Sequence, residues 1–252
     1  MHRSFEEYRT AYQHLAMDRR DGILELRLHT DGGPLVWGAG PHTELGWALR
    51  EIGGDPGNRV VILTGTGTEF IARLDDSWVG PMTPPKWERI YTNGKRLLAA
   101  LLDVEVPVIA AVNGKATVHA ELAVLSDIVL ATPETVFSDA PHFRFGTVPG
   151  DGVHAVWSTL LGVNRARYFL LTGQRLSAAE AKDLGVVNEV VPAGELLPRA
   201  YELAENLCRQ DDITLRYTRE VMTEPLRRLV AERAGHGLAL EGLGAFATWP
   251  AG

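Results

Sequence analysis

Val106-Pro107-Val108-Ile109-Ala110-Ala111-Val112-Asn113-Gly114 is the stretch that decides the architecture. Its apolar run carries no charge and is rich in β-branched and small side chains, the signature of a strand buried on both faces, and Asn-Gly stops it. Upstream, Arg59 to Leu63 reads the same way and ends at Thr64-Gly65-Thr66-Gly67. Downstream, Ile128 to Ala131 and Val186 to Val191 supply further short strands, and Gly22 to His29 alternates as a half-buried strand should. Helical spacing falls between them. It covers His42 to Ile52, residues 86–104, about 119–126, Val153 to Leu161 and Arg165 to Leu171. Ser177-Ala178-Ala179-Glu180 has the form of a capping box, with Gly185 suited to the end of that helix. Residues 1–20 are polar and read as a short helix or arm. From Gly194 onward the pattern is helical, with Pro225 expected to break it. Strands alternating with helices and followed by a helical tail predict an α/β core, residues 1–195, and a C-terminal helical segment, 196–252.

At 252 residues, 45% apolar and 23% charged, the chain has the material for a substantial core. A net charge of −7 and the lack of a basic run argue against nucleic-acid or anionic-membrane partners. The lone Cys208 excludes an internal disulfide and fits a reducing compartment. No signal-peptide core opens the sequence, and no apolar run approaches the roughly 18 residues of a membrane span. A soluble cytoplasmic protein is expected.

The chemistry-bearing residues are histidines beside carboxylates. His142 is followed by the Gly/Pro-rich loop Gly146-Thr147-Val148-Pro149-Gly150-Asp151-Gly152, which can turn Asp151 back toward the imidazole. His119 lies two residues before Glu121. Such pairs exchange protons near neutral pH. His2, His14, His29, His42 and His236 read as surface or satisfied core residues, and His154 as structural. Glu121 is open between a catalytic, a pocket-wall and an ion-pair role, and Trp37 between core and pocket. The 73–87 stretch, with three prolines, reads as a mobile loop whose Trp78 and Trp87 could close over an apolar ligand. Thr-Gly-Thr-Gly lacks the Lys-Ser/Thr of a P-loop. His119 and His142 lack compact metal-ligand spacing, so no metal and no cofactor are expected.

Several segments resemble the crotonase (enoyl-CoA hydratase/isomerase) superfamily, in its order and over roughly residues 20–195. They are Val61 to Phe70, Val106 to Gly114, Ser126 to Ala131, Gly146 to Gly150, Leu171-Thr172-Gly173 and Ala178 to Val191. The resemblance implies a crotonase-like spiral of strand–strand–helix turns whose C-terminal helices help build trimers or dimers of trimers. Two departures weigh against CoA-thioester chemistry. The family's Ala-Gly-x-Asp segment reads Ala72-Arg73-Leu74-Asp75, and its glycine-rich oxyanion turn reads Ala116-Thr117-Val118-His119. The hydratases' second catalytic Glu falls at His142, while the first persists as Glu121.

The chain is similar instead to the β-diketone hydrolase branch typified by 6-oxocamphor hydrolase. That likeness rests on Leu35-Val36-Trp37, Pro141-His142-Phe143, Val148 to Gly152, Arg167 to Gln174 and Glu195 to Ala200. It implies His119, His142, Asp151 and Glu241 as the catalytic set, with Trp37 in the pocket; Ala72, Trp78 and Glu121 are further candidates for contact with the substrate. On this reading Asp151 orients His142, which activates water for retro-Claisen cleavage of a cyclic or bulky β-diketone to a keto acid. His119, paired with Glu241, polarises a carbonyl and protonates the enolate, and the two histidines could exchange roles. The competing expectations are a CoA-thioester hydratase or isomerase and a non-catalytic protein that keeps the shell.

Overall fold

The computed structural model describes residues 3–78 and 80–249. In chain order its elements begin with α1 (Phe5–Tyr8), β1 (Leu15–Arg20), β2 (Ile23–Leu28), β3 (Val36–Trp37), α2 (Ala39–Gly54) and β4 (Val60–Thr64). Two short strands, β5 (Glu69–Ile71) and β6 (Arg73–Leu74), lead through a 3-10 turn to α3 (Pro84–Leu102) and β7 (Val108–Val112). There follow β8 (Lys115–Ala116), α4 (Glu121–Val124), β9 (Ile128–Ala131), β10 (Val136–Phe137), α5 (Val153–Leu161) and α6 (Val163–Thr172). The chain closes with β11 (Leu176–Ser177), α7 (Ala178–Asp183), β12 (Glu189–Val190), α8 (Leu196–Leu207) and α9 (Asp212–Thr248).

Six strands form the main sheet in the order β1-β2-β4-β7-β9-β12. All pairs beyond the first are parallel, and β4 and β7 are buried at every position, which is why their sequences are unbroken apolar runs. A second sheet, β11-β10-β8-β5, repeats the progression one layer away, so each turn of chain contributes to both sheets before a helix covers them. This is the strand–strand–helix spiral. One apolar cluster fills the space between the layers, and a second joins the main sheet to α8 through Ile62, Ile109, Leu130, Ala200 and Ala204.

Three expectations are corrected. Residues 15–20 form a strand, paired antiparallel with β2 from Leu15↔Leu28 to Arg20↔Ile23. The hairpin turns on Asp21-Gly22, both at positive φ (50° and 82°), the tight-turn chemistry that Asp-Gly supplies. Pro225 does not break α9, which runs through it. The proline forfeits the bond to the carbonyl of Val221, which is 74% exposed and so on the outer face, while Arg219, Thr223 and Val230 stay buried on the inner one. Arg219 pairs with Asp127 at 2.7 Å and donates to the carbonyls of Leu101 and Leu102 at the end of α3. The 73–87 stretch is not a continuous loop, since it contains β6, a 3-10 turn over Asp76–Trp78 and the first turn of α3.

Candidate active site

A cavity of about 460 Å³ opens between the spiral and α9. Trp37 from β3, Trp78 from the 3-10 turn, Ile90 from α3, Val118, and Leu238 and Trp249 from the C-terminal helix and its end make most of its wall apolar. His119, His142, Asp151 and Glu241 form its main polar band, and His42, Asp75 and Asp76 add polar groups on the side of Trp78.

Local backbone places each of these groups. His119 follows β8 at φ 45°, a left-handed conformation rare for a side chain with a Cβ, and its ring lies 4.2 Å from that of Trp37. Glu121 opens α4. Asp139 and His142 sit on the segment between β10 and the 3-10 turn Phe143–Phe145, and Asp151 precedes the N-cap Gly152 of α5. Glu241 arrives on the buried stripe Ala234, Leu238, Glu241, Ala245 of α9. The crossing that brings Asp151 to Glu241 depends on two glycines. A Cβ on Gly150 would stand 2.2 Å from the Gly237 carbonyl oxygen, and one on Gly237 2.1 Å from that of Gly150.

The carboxylate partners differ from those expected. His142 is oriented by Asp139, whose Oδ1 is 2.5 Å from Nδ1; Asp151 Oδ2 instead stands 3.6 Å from the other ring nitrogen, Nε2. His119 pairs with Glu121, Nδ1 to Oε1 at 2.5 Å, and has Asp151 Oδ2 at 3.4 Å. Glu241 belongs with His142, at 3.8 Å from Nε2, and not with His119. Asp151 thus lies between the two imidazoles. Sequence reasoning passed over Asp139, although Asp139-Ala140-Pro141-His142 holds an acid three residues from the histidine. It also left His42 as an ordinary residue, whereas His42 lines the cavity with its ring edge-on to Trp37 and Trp78 and its Nδ1 buried without a partner. Ala72 is not among the lining residues; Leu74 and Asp75 form the wall from that segment. Trp87 packs against Gly242 behind the wall, so of the tryptophan pair Trp78 reaches the cavity. His154 is half-buried and does not line the cavity.

Burial and neighbouring charge set the proton inventory. For His142, burial opposes the imidazolium but Asp139 and Asp151 outweigh it, holding the ring well above the ordinary imidazole value. His119 is raised in the same way, burial being overcome by Glu121 and then Asp151. Burial would lift Asp151, but the two imidazoles hold its carboxyl below the usual range. Glu121 is raised, chiefly by burial. Glu241 is pushed up to about 8 by burial and by Asp151, and its Oε2 has no partner. His42 is pushed down to about 3 by burial and by His119. At neutral pH the site therefore holds a protonated Glu241 and a neutral His42 around a charged His142–Asp151 pair.

The backbone of the turn after β8 is already committed. The N–H groups of Thr117 and Val118 both donate to the Ile71 carbonyl, at 2.9 and 3.1 Å, so neither is free to hold a thioester oxygen.

The enoyl-CoA hydratase/isomerase family model matches residues 39–237, and the chain belongs to that family. Among curated relatives, the short-chain-enoyl-CoA hydratase of Clostridium acetobutylicum is 31% identical over 186 residues, 73% of this chain and 71% of that one. Among solved structures, a β-diketone hydrolase from the cyanobacterium Anabaena, bound to (S)-3-oxocyclohexyl acetic acid, is 48% identical. It superposes with a TM-score of 0.93 over 96% of this chain and 97% of that one. An enoyl-CoA hydratase/isomerase from Mycobacterium paratuberculosis, 24% identical, shares the fold with a TM-score of 0.87 over 93% and 94%.

Proposed function

We propose that this enzyme is a cofactor-independent hydrolase that cleaves the C–C bond of a cyclic or bulky β-diketone to a keto acid. The observation that carries the reading is the pair of carboxylate-anchored imidazoles, His142–Asp139 and His119–Glu121, sharing Asp151 at one wall of a mainly apolar cavity. The similar Anabaena hydrolase supports it. Its ligand carries a ketone and a carboxylic acid, the two groups that hydrolysis of a cyclic 1,3-diketone leaves.

A retro-Claisen cleavage adds water to one carbonyl. The carbonyl carbon gains oxygen, the C–C bond breaks toward the second carbonyl, and the enolate formed takes a proton at carbon. In the fraction of molecules whose His142 is neutral, a fraction that grows with pH, the ring accepts the water proton at Nε2 while Asp139 holds Nδ1–H. Protonated Glu241 donates a hydrogen bond to a developing oxyanion, and His119 polarises the second carbonyl and returns a proton to the enolate carbon. Asp151 stabilises whichever imidazolium exists at each step. The substrate is its own electron sink.

The relatives named enoyl-CoA hydratases favour a second reading, turnover of a CoA thioester, through the retained Glu121. Incubation with a bicyclic 1,3-diketone, without metal or CoA, separates the two. Keto-acid formation that is lost in His142→Ala supports the diketone reading. Inertness toward a panel of diketones, with turnover of an enoyl-CoA, replaces it by the second.

Self-association as trimers or dimers of trimers belongs to the same proposal. Ile213, Tyr217 and Val221 recur every four residues on α9 and are 66–74% exposed, an apolar stripe suited to another subunit. A cytoplasmic setting is consistent with the single free Cys208; among the described residues no helix is long and apolar enough to cross a membrane.

A further inference from the structure

We infer that His142, Asp151 and Glu241 form a binding site for a divalent zinc ion, and that zinc bound there blocks the cavity. His142 Nε2, Asp151 Oδ2 and Glu241 Oε1 come together from three separate segments, and all lie within 4.8 Å of one another. Nε2 is 3.6 Å from the Asp151 oxygen and 3.8 Å from the Glu241 oxygen. Zinc bonds of about 2.0–2.2 Å in a tetrahedral shell place ligand atoms about 3.3–3.6 Å apart, so the nitrogen-to-oxygen separations need close by only a few tenths of an ångström, and the two carboxylate oxygens start within 4.8 Å of each other. These separations are too long for direct hydrogen bonds, and Nε2 has no closer charged partner to give up.

Two observations independent of the three ligand atoms point to the same occupant. His142 has its other nitrogen bonded to the Asp139 carboxylate at 2.5 Å, the carboxylate–histidine arrangement that fixes tautomer and raises ligand basicity at zinc sites. Glu241, 6% exposed, carries a second oxygen with no hydrogen-bond partner, beside the same cavity. The cavity side leaves a fourth position open to water or to a substrate oxygen. A second set, His119, Glu121 and Asp151, is also compact, but there Nδ1 is already committed to Glu121 at 2.5 Å, and that bond would have to open for an ion to enter. Both sets use Asp151, and the uncommitted Nε2 of His142 favours the first.

Zinc binding does not depend on the diketone reading; its inhibitory effect does, because the ion takes the nitrogen that would accept the proton of water. The test is a titration of the chelator-stripped full chain with Co²⁺, whose visible absorption reports a low-coordinate protein site, followed by displacement with Zn²⁺. The expected result is one saturable site per chain, emptied of Co²⁺ by Zn²⁺. Asp139→Asn should weaken binding by about 10–100-fold, as loss of an outer-shell carboxylate does at zinc sites, and His142→Ala and Glu241→Gln by at least as much. His119→Ala should retain it. Thermal melts show that each variant is folded, and Glu241→Gln, close to isosteric, keeps the test valid should His142→Ala fail to fold. Lack of a saturable band overturns the inference, as does equal binding by His142→Ala and Glu241→Gln, or loss in His119→Ala alone. Diketone cleavage is then followed with and without equimolar Zn²⁺. Inhibition that EDTA reverses is expected, and activation by Zn²⁺ would overturn the inhibitory part. If the metal-free protein cleaves no diketone while the Co²⁺ site is intact, the functional reading fails and the metal site stands.

Discussion

Replacing Asp139 by Asn tests whether His142 owes its basicity to charge or only to orientation. Asn retains an acceptor oxygen for Nδ1–H, so the ring can keep its tautomer while the carboxylate charge is lost. Asp139 and His142 are 6% exposed each and 2.5 Å apart. An opposite charge at such range typically moves a pKa by about 1–3 units, or about 1.4–4 kcal/mol. His142 must be neutral to take a proton from water, and it stands well above the ordinary imidazole value. Diketone cleavage by the wild type should therefore rise with pH along an acid limb lying above pH 6.5, the ordinary imidazole value. In Asp139→Asn that limb should move down by about 1–3 units, and the plateau should fall within the roughly 10²–10⁴-fold that general acid–base catalysis supplies. The assay is kcat/KM against pH on a bicyclic diketone, with NMR titration of the His142 ring in parallel. A lowered plateau on an unmoved limb, with an unmoved ring titration, would refute the argument and leave Asp139 a structural residue.

Other outcomes follow from the same geometry. His119→Ala should lower turnover by about 10²–10⁴-fold while the melting temperature stays near that of the wild type, and full activity in this variant would remove His119 from the mechanism. Folded Glu241 keeps its proton up to about 8, whereas the unfolded chain loses it near 4.5. The native state then binds more protons in that window, so this group's contribution to stability is lost as pH rises from 4.5 to 8. Glu241→Gln should flatten the melting temperature over that interval, and an unchanged slope argues against a buried neutral acid. Gly237→Ala drives a Cβ into the Gly150 backbone and should cost about 1–3 kcal/mol or more, read by denaturant unfolding. Changing Ile213 and Val221 together to Asp should convert oligomers to monomers by light scattering; an unchanged mass would place the subunit contact elsewhere.

The fold was legible where burial on both faces left a continuous apolar run, as at Val60–Thr64 and Val108–Val112, and where side-chain caps announce a helix, as Ser177 and Glu180 do. It was least legible at β1. There every second residue faces out, and Asp18, Arg19 and Arg20 make the segment look like a polar arm. The Asp21-Gly22 pair was the available signal, since alternation on either side of Asp-Gly is what a hairpin requires. Pro225 misled for the opposite reason: a local rule was overridden by packing on the buried side of α9.

The site divides along the same line. Its histidines stand out by type, but their partners are fixed by distances that sequence spacing does not contain. Asp151 is nine residues from His142 and meets its far nitrogen, while Asp139, three residues away, meets the near one. Glu241 has no local signal at all. It reaches the cavity because Gly150 and Gly237 let two backbones touch, and the same contact positions Asp151 one residue from the crossing. The glycine pair therefore couples stability to chemistry. A side chain at either position must push α9 outward, which separates Glu241 from His142 before it exposes any large part of the core. Loss of cleavage should accordingly exceed what the loss of folded protein explains in Gly237→Ala. In a core variant remote from the crossing, such as Leu130→Ala, residual activity should instead track the folded fraction alone.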